Sequence, residues 1–146
     1  MSITLGTPHS PGWRGYPPHM SDEDFKIWVK YRSQIEPLAL RLYFDVGVGG
    51  TSDYPPDTPD YLKKDWLRLT QKRIDVLAET ADSWIIIELR ARATSSVLGR
   101  LMVYGKLWRD EQPDGKRVRL IAVSDTRDKD VVATADTMDI EFVVVD

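Results

Sequence analysis

The chain contains no cysteine, which excludes disulfides and thiolate metal sites and suits a reducing compartment. Histidine is nearly absent too. His9 and His19 both fall in a proline-rich segment, where they read as surface or packing residues rather than as a metal site. With both histidines there and no nucleophile elbow, a serine hydrolase triad is not expected. Long apolar runs are missing: none is longer than Trp84 to Ile87, which is strand-sized, against the roughly 20 residues of a membrane span. A membrane partner is therefore not expected. Neither sign of charge dominates, since 20 Lys+Arg against 23 Asp+Glu gives −3. That excludes a wholly basic nucleic-acid coat but leaves room for a local basic groove. Gly47-Val48-Gly49-Gly50 has no following Lys-Ser/Thr, so it reads as a turn and not as a phosphate loop.

What is present is an ordinary globular composition in 146 residues, 42% hydrophobic and 29% charged, enough for one domain. Residues 1–20 form an arm in which Pro8, Pro11, Pro17 and Pro18 alternate with Gly6, Gly12 and Gly15. No charged stretch followed by an apolar one occurs over Met1 to Tyr16, so a signal peptide is not expected. Trp13 and Tyr16 are large aromatics for a tail. Either the arm packs on its own domain or it reaches a neighbouring subunit, with Trp13 as an interface anchor.

Residues 21–146 then alternate between helical and strand periods. Ser21 caps a helix whose first turn is acidic, and its stripe runs through Phe25, Trp28, Val29, Arg32 and Ile35 until Pro37 stops it. Leu38 to Val46 reads as a strand with Leu40, Leu42 and Phe44 on one face. A loop with a short helical stretch, Tyr61 to Leu69, leads to a hairpin of Ile74–Ala78 and Trp84–Arg92. Its second strand is apolar on both faces and so belongs at the centre of a sheet. A helix capped by Thr94 or Ser95 follows, stopped by Pro113-Asp114-Gly115. Then come strand Val118–Val123, helix Asp128–Asp139 and strand Ile140–Val145. The expected fold is α/β: a mixed sheet flanked by helices, in the order helix, three strands, helix, strand, helix, strand.

The hairpin places chemistry. A turn at Thr80–Ser83 pairs Glu79 with Trp84, which sets Asp75 opposite Glu88 and Arg73 opposite Arg90. Two carboxylates that close repel unless something positive lies between them. One candidate is a hard divalent cation such as Mg²⁺. The other is a cross-strand quartet with Arg73 and Arg90. Two basic clusters, Lys63, Lys64, Arg68, Lys72, Arg73 and Lys116, Arg117, Arg119, read as solvated faces unless they share a groove along a nucleic-acid backbone.

The run from Arg73 to Ala78, followed by Trp84-Ile85-Ile86-Ile87-Glu88-Leu89-Arg90, resembles the signature of the PD-(D/E)XK, or restriction-endonuclease-like, nuclease superfamily. The element order resembles that family's core. Arg100-Leu101-Met102-Val103-Tyr104 is similar to the Gln-x-x-x-Tyr element of its RecB-like branch, with Arg100 where Gln is usual. The resemblance implies Asp75 and Glu88 as metal ligands, Glu36 as a third acid from the first helix, and Arg90 in the place of a water-orienting lysine. Arginine is permanently protonated, so Arg90 cannot be a general base at neutral pH, although it can stabilise charge. Arg90 can also swing between the two acids and replace the metal.

Two substitutions toward arginine imply a nuclease fold with lost or weakened catalysis, serving as a structural, assembly or DNA-contacting component. A tailed-phage head–tail junction protein is the analogy. The alternative is an active Mg²⁺-dependent DNA endonuclease or exonuclease. DNA and other protein subunits, the latter through residues 1–20, are the implied partners, in a homo-oligomer or larger assembly. The cytoplasm, or a virus particle assembled there, is the expected location.

Overall fold

The computed structural model describes residues 2–146; Met1, the first residue of the arm, lies outside them. Ser21 accepts the Asp24 amide at 3.1 Å and starts α1 (Asp22–Ile35), whose acidic first turn suits the positive end of the helix. The buried stripe of α1 is Ile27, Trp28, Tyr31 and Ile35, rotated from the expected one, and Val29 is exposed. Phe25 and Val29 lose the central place because Phe25 stacks on Tyr16 of the arm instead, 4.3 Å between ring centroids.

Five strands follow, β1 (Arg41–Val48), β2 (Lys72–Glu79), β3 (Ser83–Leu89), β4 (Arg117–Ser124) and β5 (Ile140–Val144), in one sheet whose spatial order is the chain order. The first three form an antiparallel meander, while β3, β4 and β5 run parallel. Parallel neighbours need a crossover, here through α4 (Ser96–Glu111) and α5 (Lys129–Thr137). Between β1 and β2 lie two short helices, α2 (Asp60–Lys63) and α3 (Trp66–Thr70), where the sequence reads as one stretch. Ser95 takes the cap position of α4 but makes no side-chain capping bond; the carbonyls of Thr94 and Ser95 accept the Val97 and Leu98 amides, and the Thr94 hydroxyl pairs with that of Ser96.

Every residue of β3 is buried, as its two-sided apolarity requires. Ile85, Ile87 and Leu89 face α1; Trp84 and Ile86 face α4 and α5. The hairpin register is the one a Thr80–Ser83 turn dictates, with Glu79 opposite Trp84 and Val76 opposite Ile87. β1 begins at Arg41 rather than Leu38, because the Leu38 and Ala39 amides still bond to the Ile35 carbonyl.

The alternation of β1 also breaks. Leu42 and Phe44 face α1, but Tyr43, Val46 and Val48 face α4. The break is at Asp45, whose φ of 52° is left-handed. β2 breaks in step with it: Val76 and Ala78 face α1, while Ile74 and Leu77 face α4. Asp45 and Asp75 sit at this shared kink, between the pairs Phe44–Val76 and Val46–Ile74. A local irregularity of this kind re-aims side chains at the edge of a site.

The arm lies on its own domain. Thr4 and Gly47 exchange backbone hydrogen bonds at 2.9 Å, and His9 and Leu42 do so at 2.8 and 2.9 Å, so the arm runs along the free edge of β1. An open edge is a template for aggregation, and the arm covers it. Ile3 and Leu5 join the core on the α4 side; Trp13 and Met20 join it on the α1 side. Of the two readings of the arm, packing on its own domain is the one these contacts describe.

Candidate active site

Where the β2–β3 ladder ends at Val76–Ile87, the next two residues are Asp75 and Glu88. They share the α4 face of the sheet and open into one cavity of about 770 Å³. Helical spacing builds the facing wall: Ser96, Gly99, Arg100, Val103 and Tyr104 form one stripe of α4. Lys72 and Arg73 come from the start of β2, Asp45 from the kink in β1 and His19 from the arm.

Asp75 is held in place from below. Its Oδ2 accepts the backbone amide of Leu89 at 2.9 Å, so a side chain replaces the next rung of the ladder. Glu88 is 2% exposed, and its Oε2 is buried without a hydrogen-bond partner. Burial raises its pKa first, and the adjoining Asp75, by hydrogen bond and by charge, adds to that; the result is pushed up to about 10. Without a cation, Glu88 is therefore neutral at pH 7. Tyr104, 7% exposed, is raised in turn by burial and then by the two acids.

The charge quartet expected of the hairpin does not form. Arg73 donates to Asp45 Oδ2 at 2.7 Å, and Arg68 reaches the same oxygen at 3.5 Å. Beyond Val76–Ile87 the two strands no longer pair, so Arg73 and Arg90 are not held opposite each other. Nor does Arg90 swing between the acids. Among the described residues it makes no ion pair within 4 Å, it does not line the cavity, and its Nε is buried without a partner. Its charge is nonetheless felt by Glu88 and by Asp24.

Glu36 is not brought to the site. It ends α1 on the far side, paired to Arg14 of the arm at 2.6 Å. The α1 acid that senses Asp75 is Asp24, twelve residues earlier and therefore about 18 Å along the axis. Burial and then Asp75 raise its pKa. The acidic run Asp22-Glu23-Asp24 was the available signal, and helix capping accounted for it. Arg100 and Tyr104 do line the cavity, whereas Lys72, Asp45 and His19 join it without having been singled out as site residues.

Around the mouth, Lys72, Arg73 and Arg100 outweigh Asp45 and Asp75 once Glu88 is neutral. A cavity with that balance attracts an anion and offers two hard oxygen donors at its floor. Two carboxylates at the floor and cations around the rim give the cavity room and charge for a hard cation together with an anion.

No protein-family model and no curated protein matches the chain. Among solved structures it is similar to a repair endonuclease from Pyrococcus abyssi, with a TM-score of 0.51 and 16% identity. The likeness covers 90% of this chain and 50% of that one, so this chain spans about half the length of the endonuclease it matches. At this identity the likeness establishes the fold: a mixed five-stranded sheet flanked by helices, of the restriction-endonuclease-like kind.

Proposed function

We propose that the protein is a divalent-metal-dependent nuclease whose centre is the pair Asp75 and Glu88. One observation carries the reading: the two carboxylates converge in a cavity, and among the described residues no arginine is ion-paired to either of them. An internal ion pair with Arg90 would have been the mark of a site closed to metal.

The residues fit a hard cation. Glu88 Oε2 is a buried oxygen with no partner, and Asp75 is fixed through Oδ2 by the Leu89 amide. Among the described residues no group of three or more His, Cys, Asp or Glu side chains gathers to bind metal. Water and phosphate oxygens would complete the shell, which is the habit of Mg²⁺. Bound there, the cation supplies a coordinated water of lowered pKa and neutralises charge on the phosphate. Arg100 and Arg73 would orient the phosphodiester by charge-assisted hydrogen bonds, and Lys72 would add a point charge at the rim. Arg90 cannot accept a proton, so its contribution is electrostatic, exerted from behind Glu88.

Plasmid, linear duplex, single-stranded and flap DNA incubated with Mg²⁺ or Mn²⁺ test this. Cleavage by the wild-type protein should disappear in Asp75→Ala and in Glu88→Ala. An uncleaved substrate together with no cation binding by calorimetry would overturn the reading. A second reading is favoured by the arginine at position 90: a nuclease fold that binds cation and DNA without turnover. Binding without cleavage in the wild type, with cleavage appearing in Arg90→Lys, would identify it. Service as a structural or assembly component, as at a phage head–tail junction, is less well supported, because the arm's strand edge and Arg14 are already engaged by its own domain.

A further inference from the structure

A second cavity, of about 460 Å³, adjoins the first, and His19 and Asp45 line both. Those two residues are left-handed, with φ of 60° and 52°. Strained backbone held at a shared wall is a feature worth explaining by function. The second cavity is built largely by the arm: His9, Trp13 and Tyr16 line it with Phe44, and Arg68 reaches in from α3.

Tyr16 is the unusual member. One face of its ring stacks on Phe25, and its hydroxyl donates within reach of Asp22 Oδ1 at 2.8 Å and the Met20 carbonyl at 3.0 Å. The ring is thus fixed at three points, yet the residue remains 49% exposed. Trp13, by contrast, is half-buried, with His9 stacked on it at 3.9 Å. An immobilised, half-exposed aromatic face loses little conformational entropy when a planar ligand settles on it.

We propose that Tyr16 is the stacking platform of a subsite for an unpaired nucleobase, in the cavity that shares His19 and Asp45 with the one holding Asp75 and Glu88. This rests on the nuclease reading and deepens it, because it names the substrate class. A base inside a duplex has both faces covered by its neighbours, so only an unstacked base can lie on a protein ring. The substrate is therefore single-stranded nucleic acid, or a single-stranded end or flap. Arg68 beside Asp45 supplies the cation for the adjoining phosphate, and stacking makes the subsite tolerant of base identity.

Fluorescence anisotropy in EDTA, with a short labelled oligo-dT and a hairpin duplex of equal length, tests the subsite without turnover. The wild type should prefer oligo-dT. Tyr16→Ala should weaken oligo-dT about ten-fold and leave the duplex unchanged, while Tyr16→Phe, which keeps the stacking face but loses the hydroxyl bonds that hold it, should lose less than Tyr16→Ala. A melting curve of Tyr16→Ala matching the wild type shows that the arm is still docked. If it melts lower, Tyr16→Leu, which keeps the packing on Phe25, takes its place and should show the same loss. Unchanged oligo-dT affinity in the folded variant overturns the subsite, and so does an equal loss for both probes. Duplex cleavage that ignores Tyr16 also overturns it, with the nuclease reading intact. Tyr16-dependent binding without any cation binding or cleavage overturns the nuclease reading alone.

Discussion

Asp75 Oδ2 accepts the amide of Leu89 at 2.9 Å, so the same carboxylate that faces Glu88 also closes the last rung of the central hairpin. The structural and chemical roles of this side chain separate by substitution. Asp75→Ala leaves the Leu89 amide without its acceptor, which costs about 1–3 kcal/mol for a buried donor. Asp75→Asn retains an acceptor and should cost less, while still losing one charge of the pair. Urea denaturation of the two variants measures the first effect and cation titration the second. Both variants should bind cation poorly, and only Asp75→Ala should be markedly less stable.

The buried neutral Glu88 makes stability depend on pH in a defined direction. In the unfolded chain its carboxyl ionises in the ordinary range, whereas in the folded chain it keeps its proton up to about 10. Between those limits the folded state binds more protons, so stability falls as pH rises. Melting temperatures of the cation-free protein should decline from pH 5 to pH 8, and Glu88→Gln should flatten the decline. Mg²⁺ or Mn²⁺ must displace the proton to bind. The stabilisation they give should accordingly be larger at pH 8 than at pH 6.

Much of this geometry was legible in the sequence, and the illegible part has a common cause. The Thr80–Ser83 turn and strict alternation in β3 bring Asp75 and Glu88 into one cavity just past the last paired residues, Val76 and Ile87, and the 3.6-residue period sets Arg100 and Tyr104 on one side of α4. Local periodicity is enough for both. It does not reveal that Asp45 turns left-handed and shifts the phase of β1, so that Arg73 pairs with Asp45 rather than standing opposite Arg90. Nor does it show which end of α1 lies against the sheet end that holds the acids. Asp24 and Glu36 both fit an acid on the first helix, and only tertiary packing distinguishes them.

Two glycines of α4 should respond oppositely to side chains. A Cβ on Gly99 meets nothing within 4 Å, because that position opens on the cavity. Gly99→Ala should raise stability by about 1 kcal/mol through helix propensity alone. Gly105 is buried against β4, where a Cβ would lie 3.1 Å from both Leu120 Cδ2 and Arg109 Nη1. Gly105→Val adds a branched side chain to that contact and should lower stability by about 1–3 kcal/mol. Thermal melts of the two proteins at one pH give the comparison directly.

Removing residues 1–20 tests whether the arm belongs to the fold. The deletion takes away the backbone exchanges of Thr4 with Gly47 and His9 with Leu42, and it uncovers the edge of β1. Trp13 leaves its tilted contact with Phe44, 5.4 Å between centroids, which opens the core beneath α1. The truncated chain should melt lower and associate through the exposed strand, visible as aggregation in light scattering. Arg14→Ala, by contrast, breaks an exposed ion pair with Glu36, worth roughly 0–1 kcal/mol, and an exposed bond to the neighbouring Trp13 carbonyl, and should leave the melt nearly unchanged. A truncation that stays monomeric with an unaltered melt would mean that the edge of β1 needs no cover, and that the arm's contacts add little to the domain.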